Sequence, residues 1–170
     1  VERELGRGSM ALTHFFGRPQ NILMACKDEQ IEKYLLPAVR GELMDALAMT
    51  EPDAGSDVRG MKCFAKSEGT DWIVSGTKHF ISGAEHADFV IVFIATGEEK
   101  TEKGPKKKIT AFLVDRGTPG FVIRDGYNSV SHKGYKNMIL EFDDCRLPKE
   151  QVLGEVDGGF EVMNTWLYAT

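Results

Sequence analysis

Residues 48–57 read AMTEPDAGSD. A short apolar run ends here in a turn whose residue types suit a planar ligand. Thr50 brings a hydroxyl donor, Pro52 stiffens the chain, and Gly55 lets backbone come close where a Cβ would collide. Ser56 and Asp57 leave the turn with polar groups forward. Alone, a Pro/Gly/Ser/Asp cluster is a tight turn. The segments downstream give it a wider meaning: GTKHFISGAEHADFVIVF at 76–93, ITAFLVDRGTPGF at 109–121 and LEFDDCRLP at 140–148.

Working outward, the chain from Asp45 onward has the texture of short β-rich runs. They fall at 46–49, 61–66, 72–75, 78–81, 89–95, 109–115, 121–124 and 138–142. Turn signals separate them, notably Glu68-Gly69-Thr70-Asp71, Gly76-Thr77 and Thr118-Pro119-Gly120. Eight short strands with no helices between them predict an antiparallel sandwich or barrel rather than a doubly wound sheet. No GxGxxG follows a strand, which argues against a Rossmann-type nucleotide site. Upstream, residues 1–40 lean helical: Leu5 to Phe16 carries few strand signals, and Ile31, Tyr34 and Leu35 recur at helical spacing. Asp28 is placed to cap the second helix, and Pro37 is expected to stop it near Leu36. The fold class is therefore α+β, helices first and the β-domain after.

Composition bounds the function. With 170 residues, 42% of them hydrophobic, the chain can bury one sizeable core. A net charge of -5 speaks against an electrostatic nucleic-acid binder. The one basic run, EKGPKKK at 102–108, is expected to be a solvated loop. Cys26, Cys63 and Cys145 are far apart and odd in number, so neither a disulfide framework nor a thiolate metal site is indicated, and a reducing compartment fits. His14, His79, His86 and His132 show no ligand spacing, and no metal is expected. No apolar stretch is long enough to span a bilayer; FVIVFIA, at 89–95, has the length of a buried strand. Glu51, Asp53 and Asp57 crowd the turn, where carboxylates are commonly solvated or accept backbone N–H groups.

In this order and spacing, the four motifs resemble the middle domain of the acyl-CoA dehydrogenases. DEQIEKYLLPAVRGE at 28–42 resembles the last helix of that family's N-terminal domain, and LGEVDGGFEVMNTWLY at 153–168 the start of its C-terminal helical domain. The resemblance implies three parts: residues 1–44 ending the N-terminal helical domain, 45–154 as the middle β-domain, and 155–170 opening the C-terminal one. The chain starts at Val1 without Met and stops at Thr170 inside a helical pattern, so a piece of a longer protein is expected.

The resemblance also implies a cofactor, FAD, whose flavin lies against the β-domain. Leu47 to Ser56 would run beside the ring, with Leu47, Met49, Thr50, Gly55 and Ser56 as its contacts, Ser56 also meeting the acyl-CoA substrate. A second flavin segment would be Phe80, Ile81 and Ser82, with Phe80 packing on the ring and Ser82 donating toward N5. Many members carry Trp-Ile-Thr there; Phe-Ile-Ser keeps an aromatic face and a hydroxyl with less bulk. A second departure is SVSHKGYKN at 129–137, read as a surface turn, where His132, Lys133 and Tyr135 are the candidates for touching a partner domain or the cofactor. The implied reaction is α,β-dehydrogenation of an acyl-CoA thioester. Its base is a carboxylate of the C-terminal domain, so none is nominated here. The implied whole protein is a homotetramer that hands electrons to an electron-transfer flavoprotein, in the cytoplasm or mitochondrial matrix. The alternatives are an oxygen-using acyl-CoA oxidase or flavin monooxygenase, and a non-redox β-scaffold.

Overall fold

A strand that is apolar on both sides organises this chain. In a computed structural model that describes residues 2–8, 19–102, 104–130, 133–134 and 136–167, FVIVFIA forms the first half of a strand, Phe89–Thr101. His14, His132, Tyr135 and Tyr168, and most of the expected first helix, lie outside the described residues. The strands are β1 (Asp45–Ala48), β2 (Phe64–Glu68), β3 (Asp71–Ser82), β4 (Phe89–Thr101), β5 (Gly104–Asp115), β6 (Phe121–Tyr127), β7 (Asn137–Pro148) and β8 (Val152–Leu153). They form one curled sheet in the order β6-β7-β3-β2-β4-β5-β8, with β1 pairing β4 off that path. Most neighbours are antiparallel; β1 runs parallel to β4, and β2 meets β4 in a single parallel pair, Phe64 with Ala95.

β4 and β5 separate two apolar layers. Val90, Val92, Ile94, Phe112 and Val114 enter the inner cluster with Val74, Ile81, Leu140, Phe142 and Leu147. Phe89, Ile91, Phe93, Ile109, Ala111 and Leu113 face the other way, onto Ile22, Leu23, Tyr34, Met61 and Val162. Burial on both faces is why β4 reads as an unbroken apolar run rather than an alternating one. After α1 (Glu2–Gly8), a 3-10 turn (Asn21–Ala25), a π-helical turn (Ile31–Leu35), α2 (Leu36–Arg40) and, beyond the sheet, α3 (Gly159–Leu167) cover the outer layer.

Four local expectations need correction. Pro37 does not end the helix near Leu36, because the π-helical turn before it makes room for its ring and needs no donor from it, and α2 runs on to Gly41, left-handed at φ 74°. Asp28 takes φ 46°, and the side-chain acceptor at that helix start is Gln30 Oε1, which receives the Lys27 N–H at 3.2 Å. Gly76 does not separate two strands. It lies inside β3 at φ 138°, where a Cβ would stand 2.6 Å from Cys63 Cα, so this glycine serves a close approach of strands rather than a turn. The basic run is no loop either: Lys106, Lys107 and Lys108 pair with Glu99, Glu98 and Gly97 across the β4–β5 hairpin, and opposite charges face one another on two of those rungs.

The 48–57 turn is an excursion along one edge of β4. β1 docks beside residues 89–92, the chain departs, and β2 touches the same edge at Ala95. Within the excursion, Glu51 and Ala54 exchange backbone hydrogen bonds at 2.8 and 3.3 Å. Glu51, 5% exposed, then accepts from the N–H groups of Lys62 and Cys63 and from Lys78 Nζ at 2.7 Å. Lys78 is 0% exposed and also donates to the Met49 carbonyl at 3.2 Å. Burial pushes its ammonium below the ordinary range, opposed by the Glu51 carboxylate, while burial drives the Cys63 thiol up to about 12.

Removing one partner of a buried, hydrogen-bonded ion pair typically costs about 3–5 kcal/mol. Lys78→Met is expected to fall in that range, and Glu51→Leu to cost more, since it also orphans two backbone N–H groups. Chemical denaturation of the two single variants and the double variant checks this; the double, which leaves no unpaired charge buried, should be less destabilised than Glu51→Leu. A second expectation concerns Asp45, which accepts the Gln20 N–H at 3.1 Å and whose carboxyl burial raises from 3.8 to about 6. The folded state holds this proton more tightly than the unfolded one, so the stability it confers is full below pH 3.8 and lost as pH rises through about 6. Asp45→Asn should therefore melt above the wild type at neutral and alkaline pH, with the two melting curves converging as the medium is acidified.

Candidate functional site

Two of the sequence-predicted segments meet, and the meeting is backbone-directed. The His79 N–H donates to the Thr50 carbonyl at 2.8 Å, one residue from the Lys78 contact with Met49. Thr50 thereby sits beside the 79–82 segment of β3. Gly55 and Ser56 are exposed at the far end of the turn, and a Cβ on Gly55 would meet nothing of this chain within 4 Å. Leu47 and Met49 are half-buried with their side chains in the outer apolar layer, and Ile81, 2% exposed, packs in the inner one.

Phe80 is the outlier. Its φ is 58°, in the left-handed region that costs a bulky residue about 1–3 kcal/mol, and its side chain is 54% exposed. The cause lies in the ladder: the β3–β7 register shifts between Lys78 and Ile81, and the one extra residue on β3 turns the Phe80 ring outward. The ring stacks on Tyr127 at 4.5 Å between centroids and 26° between planes. Next to it, Ser82 Oγ donates to Asn137 Oδ1 at 2.8 Å. An exposed aromatic ring, with the Ser82 hydroxyl two residues on and the Thr50 backbone held to His79, fits a flat heteroaromatic ring such as the flavin. A wide apolar surface with polar groups at its rim binds and orients a planar ligand.

Sequence reading missed Lys78, the partnership of Glu51 with it, and the pair of Tyr127 with His79, whose Nδ1 lies 3.0 Å from the Tyr127 hydroxyl. Lys78 had a signal: it follows Val74 at inward-facing spacing in a strand, where a charge demands a partner. Among the described residues no group of three or more His, Cys, Asp or Glu gathers to hold a metal ion, and no helix is long and apolar enough to cross a membrane. Cys26, Cys63 and Cys145 are buried free thiols.

Comparison with known proteins agrees with this architecture. The profile of the acyl-CoA dehydrogenase middle domain matches residues 46–145. The mitochondrial long-chain specific acyl-CoA dehydrogenase of Mus musculus is 40% identical over 132 residues, 78% of this chain and 30% of that protein. The mitochondrial isovaleryl-CoA dehydrogenase of Pongo abelii is 34% identical over 172 residues, 98% of this chain and 40% of that one. Among solved structures, an acyl-CoA dehydrogenase from Geobacillus kaustophilus superposes with a TM-score of 0.82 at 31% identity, covering 98% of this chain and 44% of that one. The chain thus spans 30–40% of the length of these two curated relatives. Its curled sheet, its β4-edge turn and its ordered motifs place it where the sequence resemblance did, and the chain belongs to the acyl-CoA dehydrogenase family.

Proposed function

We propose that the whole protein is an FAD-dependent acyl-CoA dehydrogenase and that residues 45–154 carry the flavin-facing part of its site. Residues 1–44 then close a preceding helical domain and 155–170 open a following one. The observation that carries this reading is the exposed, left-handed Phe80 held beside the 48–57 turn. When bound, FAD supplies the acceptor for the hydride that leaves the β-carbon of an acyl-CoA thioester as a base takes the α-proton, which yields the enoyl thioester.

This chain's own residues bind and orient. Phe80 offers its ring to the flavin face, and Thr50 offers a hydroxyl to the ring's pyrimidine edge, where donors stabilise the charge that builds on reduction. Gly55 keeps the turn clear for close approach, and Ser56 meets the acyl-CoA. Leu47, Met49 and Ile81 shape the wall from behind through backbone. Ser82 directs its proton at Asn137 Oδ1. Turning the Asn137 amide so that its NH2 donates instead frees that proton for a ring nitrogen, and such an exchange needs no movement of the backbone. The base belongs to residues beyond this chain, the assembly is a homotetramer, and the electron acceptor is an electron-transfer flavoprotein.

The test is the visible spectrum of the purified full-length protein, titrated without oxygen with acyl-CoA thioesters of graded length and branching. A flavin band that bleaches with one class, and whose colour returns on adding electron-transfer flavoprotein, is the expected result. Colour restored by air alone would point to an oxidase, and a protein that cannot be loaded with FAD would overturn the reading.

A further inference from the structure

We propose that Tyr127 is a positioning residue for the flavin face, fixing the Phe80 ring from across an intervening strand. This rests on the reading of Phe80 as the flavin-facing aromatic. β3 and β6 are not neighbours; both pair with β7. Side chains two strands apart ordinarily stand about 10 Å from one another, twice the spacing of adjacent strands. The Phe80 and Tyr127 rings nevertheless stack at 4.5 Å. Two irregularities make that contact. The β3–β7 ladder shifts between Lys78 and Ile81, and the β6–β7 ladder shifts between Arg124 and Tyr127. The β3–β7 ladder resumes with Ile81 opposite Met138 and the β6–β7 ladder with Tyr127 opposite Asn137, so that Asn137 pairs with Ser82 on one side and with Tyr127 on the other.

Gly126 is what allows β6 to close so tightly, because a Cβ there would stand 2.0 Å from the Asn137 carbonyl oxygen. The Tyr127 hydroxyl meets His79 Nδ1 at 3.0 Å, and the His79 N–H holds the Thr50 carbonyl. One connected set therefore runs from the 48–57 turn through His79 and Tyr127 to the Phe80 ring. With one face of Phe80 covered by Tyr127, its open side is presented in a single orientation. Neither the 54% exposure of Phe80 nor its left-handed backbone is repaid by core packing. Tyr127 works through Phe80 and need not touch the ligand.

The test measures FAD dissociation constants and bound-flavin absorption spectra of the full-length protein carrying Tyr127→Leu, Tyr127→Phe, Phe80→Leu and the Tyr127→Leu/Phe80→Leu pair. An aromatic stack of this kind is worth roughly two- to tenfold in affinity. Tyr127→Leu should weaken FAD binding by about that factor and shift the flavin band as Phe80→Leu does. Tyr127→Phe, which keeps the stack and loses the His79 bond, should fall between Tyr127→Leu and the wild type. In the Phe80→Leu background, Tyr127→Leu should add nothing. Wild-type affinity and spectrum in Tyr127→Leu would overturn the inference, as would independent, multiplying effects in the pair, which would make Tyr127 a direct contact. A wild-type protein that takes up no FAD would overturn both this inference and the reading beneath it.

Discussion

The buried pairing of Lys78 with Glu51 is the constraint from which the arrangement of the site follows. Such a pair contributes little net stability, because desolvating two charges consumes most of what their attraction returns. Its effect is to leave few alternatives. The Glu51 carboxylate gathers donors from residues 62, 63 and 78, and Lys78 reaches back to the Met49 carbonyl. A β3 slipped by one residue would put the ammonium on the wrong face and leave the carboxylate unpaired in an apolar interior. With that register excluded, His79 falls opposite Thr50, and the two segments read as one surface.

Position on the sheet explains why the turn sits where it does. β1 and β2 share one edge of β4, and the residues between them have no ladder to join. That gap is where polar backbone can be kept in order by side chains instead of strands. The apolar layers on either side of β4 and β5 make the frame rigid, so the excursion is anchored at both ends by well-packed strands.

Much of this was legible in the residues. FVIVFIA could only be a buried strand, and the turn at 48–57 and the aromatic-hydroxyl segment at 80–82 were recognisable because each is local in sequence. What stayed hidden depends on distance or on company. Gly76 carries the same letter whether it turns a chain or admits Cys63 against it, and only the neighbouring strand decides. Lys106 and Lys107 form strand because Glu99 and Glu98 face them, a fact of hairpin register rather than of composition. Pro37 is accommodated by a helical turn of unusual width just before it. Tyr127 is separated from His79 by 48 residues, and no pattern in either segment announces the other.

The bulge of β6 has a consequence outside ligand binding. Among the described residues β6 pairs only with β7 and ends the sheet's path, so its outer edge is a row of backbone groups to which another chain could add a strand. A register shift at Asp125 and Gly126 interrupts that row, and the flanking charges of Arg124 and Asp125 are engaged with Glu141 and Lys136. The irregularity that brings Tyr127 over β7 thus also makes this border a poor template for edge-to-edge association, and restoring a regular ladder there would trade solubility for order.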